Sequence, residues 1–169
     1  MMRSVFATFV LIGFFALLIV SMDIQEGRIS SIARNASHEP IEMDTEHYAC
    51  AECASAIKSA EYGAQVISSS GKTYLFDDIG CLCLWLNHQA QKETMQVWVY
   101  TQDTKRYILA KDAWFSRLEN SPIGYGFGSY EIRVYARADY YFDEIMRFAI
   151  HGETRINPIV NKLLIENKY

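Results

Sequence analysis

Hydrophobic and polar positions divide the chain into three parts of different character. Ser4 to Met22 carries no charge and a single glycine, and about twenty such residues are enough to cross a bilayer as one helix. No small-x-small cleavage site follows Val20, so residues 1–22 read as an uncleaved transmembrane anchor. Arg3 lies on one side and Arg28 and Arg34 on the other, which leaves orientation open on charge alone. The short N-terminal tail behaves as the start of a signal anchor and places residue 23 onward outside the cytoplasm. Residues 23–45 are polar and without period, as a tether would be, and Asn35-Ala36-Ser37 matches a glycosylation acceptor. Residues 46–169 suit one compact domain.

Within that domain the period alternates between strand and helix. Ala64 to Ser69 and Lys72 to Phe76 read as a hairpin around Ser70-Gly71. Asp77 and Asp78 follow, and one of them caps the helix predicted over Ile79 to Leu86. At about 100° per residue, Ile79, Leu82, Cys83 and Leu86 share one face while Cys81, Trp85 and His88 share the other. A helix apolar nearly all round is enclosed on both sides and belongs to the core. Met95 to Thr101 and Arg106 to Ala110 are strands about a turn at residues 102–105, and Asp112 to Leu118 is short and aromatic. Gly124, Gly126 and Gly128 alternate without the spacing of a phosphate-binding loop, which argues against nucleotide binding. Ser129 to Tyr135 reads as strand and Arg137 to His151 as helix, with Tyr141, Ile145 and Phe148 on one side. This second strand-to-helix passage echoes the first. Ile159 to Asn167, opened by Asn157-Pro158, is a short amphipathic helix.

Composition narrows the class. Half of the residues are hydrophobic and 14% aromatic, which excludes a disordered chain, and a net charge of −4 gives no reason to expect nucleic acid. His38, His47, His88 and His151 are scattered, and no hydrolase or transferase constellation accompanies them, so the chain reads as a non-enzyme.

The chemistry concentrates in His47-Tyr48-Ala49-Cys50-Ala51-Glu52-Cys53. Two cysteines three apart can aim both sulfurs at one ion, with His47 as a third donor. Thiolates are soft ligands and favour Cu(I) or Zn; zinc asks for four ligands, whereas Cu(I) is satisfied by two or three. By itself the motif leaves a metal site and a Cys50–Cys53 disulfide equally open. A thioredoxin-type exchanger ranks lower, because residues 40–45 are polar and no buried strand leads into the motif. Cys81 and Cys83 point to opposite sides of their helix; Cys83 reads as a small core hydrophobe and Cys81 is evenly balanced.

The order of landmarks resembles the NosL family, the accessory proteins of nitrous oxide reductase. It comprises the CxxC, the hairpin into Tyr74-Leu75-Phe76-Asp77-Asp78-Ile79-Gly80-Cys81, Val97 to Tyr100, Ala110 to Phe115, Ser121 to Gly126, and His151-Gly152. The resemblance implies an α+β fold of two related ββαβ halves. It also implies an extracytoplasmic Cu(I) carrier, on the inner membrane with its domain in the periplasm, serving nitrous oxide reductase or its assembly complex. Two methionines that the family pattern expects are replaced, by Ala54-Ser55 after the CxxC and by Ile123 between Pro122 and Gly124. Neither Ala nor Ile offers a donor atom, so the usual site does not transfer intact. The expected copper(I) ligands are therefore Cys50, Cys53 and His47, with Cys81, Met43, Met95 and Met146 as possible substitutes. The alternative is an interaction module of the same fold that has lost metal and keeps a structural Cys50–Cys53 disulfide.

Overall fold

The computed structural model describes residues 31–43 and 47–168. The expected anchor and the first part of the tether lie outside the described residues. Among those described, no helix is long and apolar enough to cross a membrane. The architecture is α+β, with two antiparallel sheets and three helices in the described chain.

The first sheet contains β1 (Ile32–Arg34), β2 (Ala64–Ile67), β3 (Lys72–Phe76), β4 (Gln96–Tyr100) and β5 (Tyr107–Leu109), in the order β1-β3-β2-β4-β5. Alternation in Lys72-Thr-Tyr-Leu-Phe sends successive side chains to opposite faces, and the β2–β3 hairpin pairs Ala64 with Phe76 and Ile67 with Thr73. Gly71 closes the connection at φ 76, a conformation glycine takes without a Cβ penalty. Edge strand β1 differs from the tether expected there: Ile32 pairs with Tyr74, and the Asn35 side chain donates to Thr73 Oγ1 at 3.1 Å. Further along the same stretch, the Ile41 backbone N–H donates to Gln65 Oε1 and its carbonyl accepts from Gln65 Nε2, and Met43 joins a small core with Ile57 and Leu75. Residues 31–43 thus add an edge strand to the sheet and then cross one of its faces.

Helix α1 (Ile79–Asn87) covers the other face. Asp78 caps it, its carboxylate accepting from Gly80 N at 2.9 Å. Ile79, Cys81, Leu82 and Cys83 are all fully buried, so both faces of the helix are enclosed as its composition predicts. One face meets the strands, where Trp85 packs on Tyr74 and Phe76. The other meets α2 (Phe142–Ile150).

The second sheet contains β6 (Trp114–Ser116), β7 (Gly128–Tyr130) and β8 (Ala138–Tyr140), in the order β7-β6-β8. Its order departs from the second ββαβ half that the resemblance implies: three strands precede α2, and α2 is followed by α3 (Pro158–Ile165) rather than by a strand. Pro158 at the first turn and the Asn157 side chain, which accepts from Ile159 N and Val160 N, commit that segment to a helix. The helix expected from Arg137 starts later because Ala138 and Tyr140 pair with Ser116 and Phe115; it begins where Glu144 reaches back to accept from Tyr141 N at 2.8 Å. The strand expected over Ser129 to Tyr135 ends at Tyr130. The sheets join where Gln102 N donates to Ser129 O at 2.7 Å and Ser129 Oγ donates to Tyr100 O at 2.8 Å. One buried core runs from Phe76, Ile79 and Val99 across to Phe115, Phe127 and Ile145.

Candidate metal centre

Backbone bonds hold the CxxC as a tight loop. Ala49 bridges to Ala56, Cys50 N donates to Ser55 O at 2.8 Å, and Ala54 N donates to Cys50 O at 3.0 Å. The reversal needs Ala54 at φ 61, an uncommon left-handed conformation for alanine. Ala51 N donates to Leu75 O at 2.8 Å, which docks the loop on the strand leading into Asp77 and α1. Strand, acid pair and first helical turn therefore come to lie against the two cysteines.

The result is a four-residue cluster. The Sγ atoms of Cys50, Cys53 and Cys81 and a carboxylate oxygen of Asp77 all lie within 4.8 Å of one another. Cys50, Cys81 and Asp77 are buried, and only Cys53 is exposed. Ser55 Oγ donates to Asp77 Oδ2 at 2.7 Å, while the other carboxylate oxygen faces the Cys53 thiol at 3.8 Å. Ser55 Oγ also lies 2.9 Å from Cys53 Sγ, so one hydroxyl orients both groups. The paired acids have separate roles: Asp78 caps α1, and Asp77 turns to the cysteines. Cys83, fully buried, stands outside the cluster as a core residue.

Proton placement favours one preformed thiolate. The Cys81 thiol donates to Cys50 and, with loop and strand-end backbone groups, holds Cys50 down at about 7 against the opposing effect of burial. The same contact, with burial, pushes Cys81 far up, and burial raises Cys53 and Cys83 as well. A disulfide exchanger needs its low-pKa thiolate open to attack a partner. Here the lowered sulfur is the enclosed one and the exposed sulfur is raised, an arrangement that suits ion capture better than nucleophilic attack.

The second half closes over this end of α1. Ile123 N donates to Asp78 Oδ2 at 3.1 Å, and the Tyr125 ring lies so close to Gly80 that a Cβ there would come within 2.0 Å of it. Burial, then the nearby Cys81 and Asp78, pushes the Tyr125 hydroxyl up to about 12. Burial likewise raises Asp78, against the hydrogen bonds it accepts from Ser121 and from Gly80 N and Ile123 N.

Of the residues expected from sequence, Cys50 and Cys53 lie together, with Cys81 beside them. His47 is exposed and is not a member of the cluster. The three methionines do not join it either: Met43 lies in the core on the far face of the sheet, and Met95 and Met146 line a groove of about 630 Å³ beyond the C-terminal part of α1. Asp77 is the donor that sequence reasoning missed. Its signal was the doubling of acids where a single N-cap suffices.

Compared with known proteins, the chain matches no family model, no curated protein and no solved structure. The chemistry of the site therefore stands on its own geometry. Three sulfurs can hold a soft monovalent ion in trigonal coordination, and three sulfurs with one oxygen complete a tetrahedral set for a thiophilic divalent ion.

Proposed function

We propose that this protein is a membrane-anchored, extracytoplasmic metal-binding accessory protein of NosL type that carries Cu(I) as cargo to a copper-receiving partner, nitrous oxide reductase or its assembly complex. The convergence of three cysteine sulfurs, two of them enclosed, carries the proposal. Soft thiolates suit Cu(I), and a low coordination number leaves room for an incoming ligand. The uncharged run Ser4 to Met22 supports the anchor, and the order of landmarks from Cys50 to Gly152 supports the family resemblance.

Delivery proceeds by ligand exchange without change of oxidation state. Cys53 is the exposed ligand, so a partner's sulfur or nitrogen displaces it first while Cys50 and Cys81 retain the ion. Loading releases the Cys53 and Cys81 protons, and transfer returns them.

The test is a Cu(I) titration of the full-length chain, reduced and oxygen-free, against a coloured competing chelator. Tight uptake of one ion per chain, lost in the Cys50→Ser, Cys53→Ser double variant, is the expected result. Equal competition by wild type and double variant ends the carrier proposal and leaves an interaction module of the same fold as the working view.

A further inference from the structure

We infer that Asp77 gives the thiol cluster a second, four-coordinate mode, so that the same site takes Zn(II) as well as Cu(I), and that Asp77 decides between the two ions. The inference rests on the reading of the cluster as a metal site and concerns which ions it admits.

Asp77 is only 4% exposed, although a carboxylate is costly to bury without partners. Its neighbour Asp78 already caps α1, so capping does not require Asp77. Ser55 donates to one oxygen at 2.7 Å, which leaves the other, Oδ1, turned towards Cys53 at 3.8 Å. A hydroxyl that fixes one oxygen while the second faces the sulfurs is the usual way in which an outer residue aims a ligating carboxylate.

Zinc and Cu(I) make different demands on these four atoms. Structural zinc sites are almost always four-coordinate and accept carboxylate oxygen beside sulfur, whereas Cu(I) is selected by soft sulfur and gains little from a hard oxygen. With Cu(I) the three sulfurs suffice, and Asp77 keeps its bond to Ser55 as an uncoordinated group. With Zn(II) the Asp77 oxygen closes the tetrahedron. Cu(I) then displaces bound zinc by taking the sulfurs alone: the zinc–sulfur and zinc–oxygen bonds break, three copper–sulfur bonds form, and no electron moves. A carrier built this way is shielded by zinc while it waits for its cargo.

The experiment uses the full-length reduced chain and the Asp77→Asn, Asp77→Ala and Ser55→Ala variants, each titrated separately with Zn(II) and Cu(I) against competing chelators. Co(II) replaces Zn(II) as a spectroscopic probe of the coordination shell. Both Asp77 variants are expected to weaken Zn(II) by at least about tenfold, with Ser55→Ala falling in the same direction by less. Cu(I) affinity should stay within about twofold, which also shows that the sulfurs remain in place. The intense tetrahedral Co(II) spectrum of wild type should weaken or change shape in the Asp77 variants. Unchanged Zn(II) affinity and an unchanged Co(II) spectrum overturn the inference, as does an equal loss for both ions, which makes Asp77 a structural support for the sulfurs. Wild type that binds zinc through Asp77 but ignores Cu(I) ends the copper-cargo proposal and overturns the choice between two ions, leaving a zinc site alone. Wild type that binds neither ion removes both.

Discussion

At the residue scale the centre depends on where one proton sits. The Cys81 thiol donates to Cys50 and lowers it from its ordinary value of 9.0 to about 7, so the metal-free protein should show one thiolate titrating near neutrality. Ultraviolet thiolate absorbance of reduced protein checks this, and Cys50→Ser should abolish that step. Because the folded-state value is depressed, the Cys50 contribution to stability is fully present above pH 9 and is lost as pH falls towards 7. Above pH 9 the raised Cys53, Cys81 and Cys83 act with the opposite sign, since the unfolded chain ionises them more readily. Metal-free stability, followed by urea unfolding across this range, should therefore rise from pH 7 and turn down beyond pH 9. Ala54 offers a second test. Its left-handed φ of 61 is unfavourable for an L-residue, and Ala54→Gly should stabilise the protein by about 1 kcal/mol in the same assay. The cysteine pair of the loop was legible in sequence because the residue type carries its chemistry. Its proton arrangement was not, because Cys50 and Cys81 are 31 positions apart and meet only through the docking of the loop on β3.

At the element scale α1 is the part around which the centre is built. Its start was readable from the change at Asp77-Asp78, and its enclosure from an apolar composition on every face. Asp78 does more than cap: it accepts from Gly80 N and also from Ile123 N in the second half. Asp78→Ala should therefore cost about 2 kcal/mol of stability, the upper end for loss of an N-cap, and should weaken metal binding because Cys81 lies in the turn that Asp78 fixes. Denaturant midpoints and the Cu(I) titration measure the two effects. Gly80→Ala should also destabilise, by about 1–3 kcal/mol, because its new methyl group enters the Tyr125 ring. The second helix was misplaced at its start for a different reason. Arg137 to Tyr141 has no strong strand signal of its own, and it is pairing with β6 that holds Ala138 to Tyr140 extended.

At the scale of the whole molecule, the two sheets share one core rather than owning two. Phe127 comes from the Gly-spaced segment and is fully buried in the cluster that also contains Phe76 and Ile79. Phe127→Ala should cost about 3–5 kcal/mol. Unfolding should remain a single transition in which Trp fluorescence and far-ultraviolet circular dichroism coincide, with Trp85 and Trp98 reporting on the first sheet and Trp114 on the second. Ion binding should stabilise that unit as a whole, by about 2.7 kcal/mol at a free ion concentration a hundredfold above the dissociation constant. Two separated calorimetric transitions, of which only one responds to metal, would show that the halves fold independently.

The alternation of strand and helix periods, the β2–β3 hairpin, the capped core helix and the thiol chemistry of the Cys50–Cys53 loop were all present in the sequence. These follow from local period, turn residues and donor type, all of which act within a few residues. Long-range packing alone places residues 31–43 as an edge strand and a crossing over the sheet, follows α2 with a helix rather than a strand, and brings Cys81 and Asp77, rather than His47, to the cysteines of the loop. Each of these depends on contacts between segments distant in the chain, and the convergence of donor atoms on one point is set by packing rather than by spacing.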